Sequence, residues 1–199
     1  MRHGKIIYLN GPSSVGKSSL AKDLQTALNE PYLHIGIDRL IGMMPEKIND
    51  WSGQEPQSPP QGFSWQTAED ENGLPMKMLS VGPYAQTMGS LLRELVRTMI
   101  REGHHVIVDD VSFGKGEVEK WLDALKGEKA VWVGLSAPVE VLELREKARG
   151  NRAFGSARAQ APLVHRDVDY DLTFDTSQST NEEIVKAIIK LLTERGWSQ

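Results

Sequence analysis

The chain has 199 residues, with 23 Lys and Arg against 27 Asp and Glu, a formal net charge of −4 and no cysteine. That length suffices for one domain whose core needs no covalent staple, and the absence of cysteine excludes disulfides and thiolate metal sites and fits a reducing compartment such as the cytoplasm. There is no basic tract or basic-aromatic stripe, no signal-type stretch before the first strand and no run near the roughly 20 apolar residues that span a bilayer, so neither nucleic acid nor a membrane is an expected partner.

Ile6 to Leu9 is an apolar run suited to a buried strand, and Leu20, Ala21, Leu24, Ala27 and Leu28 repeat at helical spacing. Between them, Gly11-Pro12-Ser13-Ser14-Val15-Gly16-Lys17-Ser18 satisfies the phosphate-loop pattern G-x-x-x-x-G-K-[ST] at every fixed position, in the strand, loop, helix context the pattern requires. The glycines let successive N–H groups converge on an anion, and the following helix, with Ser19 in its first turn, adds its positive N-terminus. Lys17 is placed to reach the β- and γ-phosphates of a nucleoside triphosphate, and the Ser18 hydroxyl to ligate Mg²⁺.

Pro31 marks a stop, and Tyr32 to Ile37 reads as a second strand ending at Asp38. A carboxylate at the carboxyl end of a strand in an open α/β sheet is placed to face the phosphate loop and to accept the proton of an attacking hydroxyl. It is equally placed to act as an N-cap for Arg39-Leu40-Ile41. From about 46 to 82 periodicity is lost, with Trp51, Phe63 and Trp65 among prolines and polar residues. Such an irregular insertion reads either as a flap over an apolar acceptor or as a surface excursion anchored by its aromatics.

Met88 to Ile100 form an amphipathic helix, and Val106 to Val108 a buried strand ending in Asp109-Asp110, a Walker B position in which one of the two carboxylates faces Mg²⁺. The competing readings are that Asp110 contacts the acceptor substrate and that the aspartate caps the next helix, near Gly116. A helix through Val118, Trp121 and Leu125 leads to a fourth strand, Ala130 to Leu135. Beyond it Arg145, Arg149 and Arg152 read as a lid of guanidinium groups over phosphate oxygens, at about 145–158, or as a solvated face paired with Glu143 and Glu146. A helix after Arg158 is expected to break or bend at Pro162. His165 reads as a packed or surface histidine rather than a base. Tyr170 to Asp175 is the fifth strand, with Thr176 at its end where an adenine could rest, and Thr180-x-x-Glu183 is a capping box opening a terminal amphipathic helix.

Five strands alternating with helices imply the α/β class: a single-domain P-loop NTPase over 1–199, with a five-stranded parallel doubly wound sheet and helices on both faces. Ile7 to Ser18, Gly36 to Ile41 with Met44-Pro45, Ile107 to Val111, Val131 to Gly134, Arg145 to Arg152, and Val164-His165 with Asp169 to Asp171 together resemble, in order, the chloramphenicol phosphotransferase family. The resemblance implies an ATP-dependent kinase, related in fold to shikimate and adenylate kinases, that phosphorylates the primary hydroxyl of chloramphenicol and so inactivates the antibiotic. It also implies Asp38 as the base and favours the arginine lid. Asp50 to Ser80 does not align with the family, which leaves the small-molecule alcohol acceptor open. The alternatives are a kinase of another metabolite or a nucleotide, since the loop also looks like that of guanylate kinases, and a nucleotide-binding module without turnover.

Overall fold

Strand β1 (Lys5–Asn10) is buried along its whole length because it lies in the middle of the sheet and is covered on both faces. The computed structural model describes residues 3–52, 54, 59–149 and 154–197. After β1 the chain runs through α1 (Lys17–Ala27), β2 (Tyr32–Gly36), α2 (Ile37–Ile41) and a 3-10 turn at Glu46–Ile48. Then come β3 (Phe63–Glu69), β4 (Pro75–Val81), α3 (Pro83–Arg101), β5 (His105–Asp110) and α4 (Gly114–Ala124). The last third holds β6 (Lys129–Ser136), α5 (Val139–Arg149), α6 (Ser156–Val164), β7 (Leu172–Asp175) and α7 (Asn181–Glu194).

The five parallel strands lie in the order β2-β5-β1-β6-β7. Side chains alternate across a strand, so Ile7 and Leu9 of β1 join α1 and α7 in one core, while Ile6 and Tyr8 join α3 and α4 in the other. Each fully buried Ile or Leu contributes about 1.5 to 3 kcal/mol, which is why the central strands read as continuous apolar runs. The register aligns the carboxyl ends: Asn10 pairs with Asp110, and Gly36 with Asp109. A ligand site at this edge follows from the open α/β topology.

Where the sequence suggested an irregular insertion, residues 63–81 are regular. β3 and β4 form an antiparallel hairpin closed by Asp70, whose carboxylate accepts from the amides of Asn72 and Leu74 at 2.9 Å, with Gly73 at φ +74°. Asn72-Gly73 was the available turn signal, obscured by the polar residues around it. Residues 48–50 run beside β3, with Asp50 N donating to Phe63 O at 2.8 Å and Trp65 N to Asp50 O at 3.1 Å. The expected break at Pro162 does not occur either. Pro162 falls in the last turn of α6, where its missing N–H removes one bond of a helix that ends two residues later.

The hairpin is tied to the body at one corner. Arg158 of α6 donates to Glu143 Oε1 and Oε2 at 2.8 and 2.9 Å and to Asp70 Oδ2 at 2.8 Å, and Lys77 N donates to Gly155 O at 3.2 Å. Arg158→Ala is expected to speed amide hydrogen exchange in β3 and β4 about tenfold while β1 stays protected. Unchanged exchange in the hairpin would mean that its aromatic contacts alone hold it.

Candidate active site

A cavity of about 1390 Å³ opens at the carboxyl end of the sheet. Its floor is the loop between β1 and α1. Gly11 is required there by close approach: a Cβ would lie 2.4 Å from the Leu135 carbonyl oxygen. Gly16, at φ +106°, takes the left-handed conformation that turns the chain into α1. Ser14 also has a positive φ, +63°, and its buried hydroxyl has no hydrogen-bond partner among the described residues. A buried hydroxyl without a partner is costly, and an anionic oxygen at the loop would satisfy it.

The other polar groups of the loop hold one another. Lys17 Nζ donates to the carbonyls of Gly11 at 2.8 Å and Pro12 at 3.0 Å, and Ser13 N donates to Gln160 Oε1 at 2.7 Å. Phosphate oxygens are better partners for an ammonium and for these amides, so nucleotide binding exchanges the internal bonds for charge-assisted ones. Gln160, buried on α6 and bordering the cavity, carried no signal in the sequence.

Ser18 Oγ donates to Asp109 Oδ2 at 2.6 Å, with Lys17 Nζ 3.9 Å from Oδ1 and His34 Nε2 3.4 Å from Oδ2. Burial works to raise the Asp109 carboxyl pKa, but the His34 hydrogen bond, the Lys17 charge and the Ser18 hydroxyl outweigh it and hold the group below the usual carboxylate range. Asp109 therefore stands ionised beside Ser18. The ambiguity of the Asp109-Asp110 pair is resolved by the alternation along β5. The Asp110 carboxylate turns to the other face, where it accepts from Trp121 Nε1 at 2.8 Å, Ser112 Oγ at 3.0 Å and Tyr8 OH at 3.4 Å. Neither is a helix cap, since α4 starts at Gly114 after Phe113.

Asp38 lies in the first turn of α2 and borders the same cavity, exposed. The N-cap of α2 is Gly36, so Asp38 does not have the capping role that the sequence left open. Gly36 has a further constraint: a Cβ would lie 2.2 Å from Asp109 O, so the glycine lets β2 approach β5 where the two carboxylates converge on one site.

The three arginines of the expected lid part company. Arg149, exposed at the end of α5, borders the cavity. Arg145 is held beside the loop instead, donating to Thr176 Oγ1 and Thr176 O at 2.9 Å and to Val15 O at 3.5 Å. Arg145 thus joins the end of β7 to the phosphate loop. Arg152 lies outside the described residues. Glu146, weighed in the sequence as an arginine partner, is buried and instead accepts from Gly155 N at 3.0 Å, Ala157 N at 2.8 Å and the Ser156 hydroxyl at the start of α6.

The same cavity is bordered by three aromatic side chains, Phe63 and Trp65 of β3 and Trp51 before it. Trp51 stacks on Phe63 at 6.4 Å and 11°, and Trp65 stands 5.9 Å from Trp51. Beneath the loop, Asn10 Nδ2 donates to Tyr170 OH at 2.8 Å, and Tyr170 OH lies 2.9 Å from His165 Nδ1. His165 Nε2 lies 2.9 Å from Leu135 O, which only accepts, so Nε2 carries the ring proton and Nδ1 accepts from the phenol. Burial lowers the His165 pKa, the Leu135 bond works against that, and Lys17 lowers it further. The folded protein thus prefers neutral imidazole, and stability is retained above the ordinary value near 6.5 and lost as pH falls from there through the folded value. Denaturation from about pH 7.5 to about 5 is expected to show a steeper loss for wild type than for His165→Gln. Equal slopes would mean that His165 titrates alike in both states.

The sequence pattern of the family described as chloramphenicol phosphotransferase-like protein matches residues 4–193. A Mycobacterium tuberculosis protein of strain H37Rv, Rv2636, provisionally named an O-phosphotransferase, is 30% identical over 188 residues, covering 94% of this chain and 82% of the relative. Among solved structures, the M. tuberculosis APS kinase CysC in complex with AMPPNP and APS is similar with a TM-score of 0.63, at 17% identity over 97% of this chain and 99% of that one. Shikimate kinase from Acinetobacter baumannii in complex with shikimate gives 0.57 at 16% identity, over 98% and 96%. At these identities the two structures share the fold.

Proposed function

Since the chain belongs to the chloramphenicol phosphotransferase-like family, we propose that it is an ATP-dependent kinase that moves the γ-phosphoryl group to the hydroxyl of a small-molecule alcohol, chloramphenicol being the first acceptor to test. The observation that supports this most is the bordering of one cavity by the phosphate loop, Asp109, Asp38 and the aromatic hairpin. One end takes phosphates, the other an apolar body, and a carboxylate stands between.

In this reading Mg·ATP is the co-substrate. The Ser18 hydroxyl and the ionised Asp109 are hard oxygen donors that would hold Mg²⁺. Held there, Mg²⁺ would supply charge neutralisation to the phosphates. The loop amides and Ser14 cradle the phosphates, Lys17 and Arg149 offset charge on the transferring group, and Arg145 with Thr176 supports the base side. Asp38 orients the acceptor hydroxyl and accepts its proton as the new P–O bond forms and the bond to the β-phosphate oxygen breaks. The hairpin, packed against α6 at Gly155, excludes water from the acceptor end.

The test is transfer from Mg·ATP to chloramphenicol, read by mass spectrometry as a product heavier by one phosphoryl group. Saturable transfer supports both enzyme and acceptor. ATP binding without transfer to chloramphenicol or any other alcohol would remove the kinase reading and leave a nucleotide-binding module.

A further inference from the structure

We infer that the acceptor of this protein carries an oxyanion, a carboxylate or a phosphate, which Arg39 and Arg93 hold in the cavity that the phosphate loop also borders. The inference rests on the kinase reading for the identity of the cavity, and goes beyond it in the charge of the substrate. Chloramphenicol is a neutral molecule and would leave both guanidinium groups without a counter-charge.

Of the other charges that border the cavity, Lys22 lies on α1 and Arg149 at the end of α5, the elements that flank the phosphate loop, where both would face the nucleotide phosphates. Lys17 lies with the phosphate loop and Asp109, and Lys120 is paired with Glu117 at 2.6 Å. Asp110 is engaged by Trp121, Ser112 and Tyr8. Arg39 and Arg93 border the same cavity, and among the described residues no carboxylate pairs with either. They come from two elements that pack together, α2 and α3, whose buried Leu40, Met88 and Leu92 share one core.

Arg93 is also seated rather than trailing into solvent. Its Nη2 donates to Ser90 Oγ at 3.1 Å, one turn back on α3, and its Nη1 lies 3.5 Å from where a Cβ on Gly89 would stand. Gly89 and Ser90 themselves border the cavity. One bond to a hydroxyl leaves the remaining fork of N–H donors for a bidentate oxyanion. Arg39 adjoins Asp38 on α2, so an anion held there fixes the orientation of a hydroxyl presented to Asp38. Trp51, Phe63 and Trp65, which border the same cavity, would take a planar apolar body.

Three probes that differ only in charge test this: 4-(hydroxymethyl)benzamide, 4-(hydroxymethyl)benzoate and 4-(hydroxymethyl)phenylphosphonate. Binding to the full chain with Mg·AMPPNP, measured by titration calorimetry at low salt, is expected to be at least about tenfold tighter for one of the anions than for the amide. A benzoate preference identifies a carboxylate acceptor, and a phosphonate preference a phosphate. Arg39→Gln and Arg93→Gln, both on side chains outside the core, are each expected to bring the ratio toward one, with Arg93→Lys retaining part of it. Equal binding of amide and anions, no binding of either anion, or an unaltered ratio in both Gln variants would overturn the inference. Transfer from Mg·ATP to the same probes separates the two readings. Transfer to the amide as fast as to the anions keeps the kinase and removes the oxyanion, whereas tight anion binding with no transfer to any alcohol does the reverse.

Discussion

An Asp38→Asn variant is expected to bind Mg·ATP as wild type does and to transfer the γ-phosphoryl group about 10²- to 10⁴-fold more slowly, the range that a positioned general base contributes. Binding should be spared because the phosphate contacts come from Gly11 to Ser18, on a different element from α2. Asp38 is a surface-exposed residue inside a short helix whose cap is Gly36, so a neutral isostere leaves the fold intact. Steady-state transfer beside a nucleotide titration gives both readings from one preparation. Transfer within about threefold of wild type would show that the loose, metaphosphate-like step needs no proton acceptor at this position, and that the hydroxyl is oriented by other groups.

Glu146→Ala is expected to cost about 3 kcal/mol or more in unfolding free energy, read from denaturant midpoints at constant m-value. The carboxylate is only 2% exposed and satisfies the amides of Gly155 and Ala157 and the Ser156 hydroxyl, all at the first turn of α6. Removing it leaves buried donors without partners at a helix N-terminus, where an anion is also favoured by the dipole. For a chain of this size that corresponds to a midpoint lowered by roughly 10 °C. Glu146→Gln keeps the volume and one acceptor oxygen and should fall between. Because α6 carries Gln160 to the phosphate loop and Arg158 to the hairpin, the same variants are expected to weaken nucleotide binding as well as stability. A Glu146→Ala protein as stable as wild type would mean that water replaces all three bonds, and that α6 does not depend on this cap.

Much of the machinery could be read in order along the chain. The phosphate loop occupies eight consecutive residues between a strand and a helix, so its chemistry is local, and Ser18 and Asp109 meet as the pattern implied. The five parallel strands follow from apolar runs that had to be buried on both faces, and the central position of β1 places the loop at the middle of the sheet edge. The terminal helix was equally plain, because Thr180 and Glu183 make the reciprocal capping bonds that their spacing specifies.

What could not be read was decided by groups distant in sequence. Alternation on β5 assigns Asp109 to the loop and Asp110 to Trp121, but only the packing of α4 shows which face is which. The helical spacing of Arg145 and Arg149 was legible, but the bonds of Arg145 to Thr176, 31 residues on, were not. The hairpin was missed because its strands are half exposed and carry no continuous apolar run. It is held by Arg158 reaching Asp70, 88 residues away, and by aromatics that stack on one another. Local pattern and backbone chemistry therefore determined the fold class, the phosphate loop and the helix caps, since each depends on residues within a few positions. The division of labour among the carboxylates, the place of each arginine and the shape of the acceptor wall were decided by tertiary structure, because burial and partner geometry there come from segments that only the folded sheet brings together.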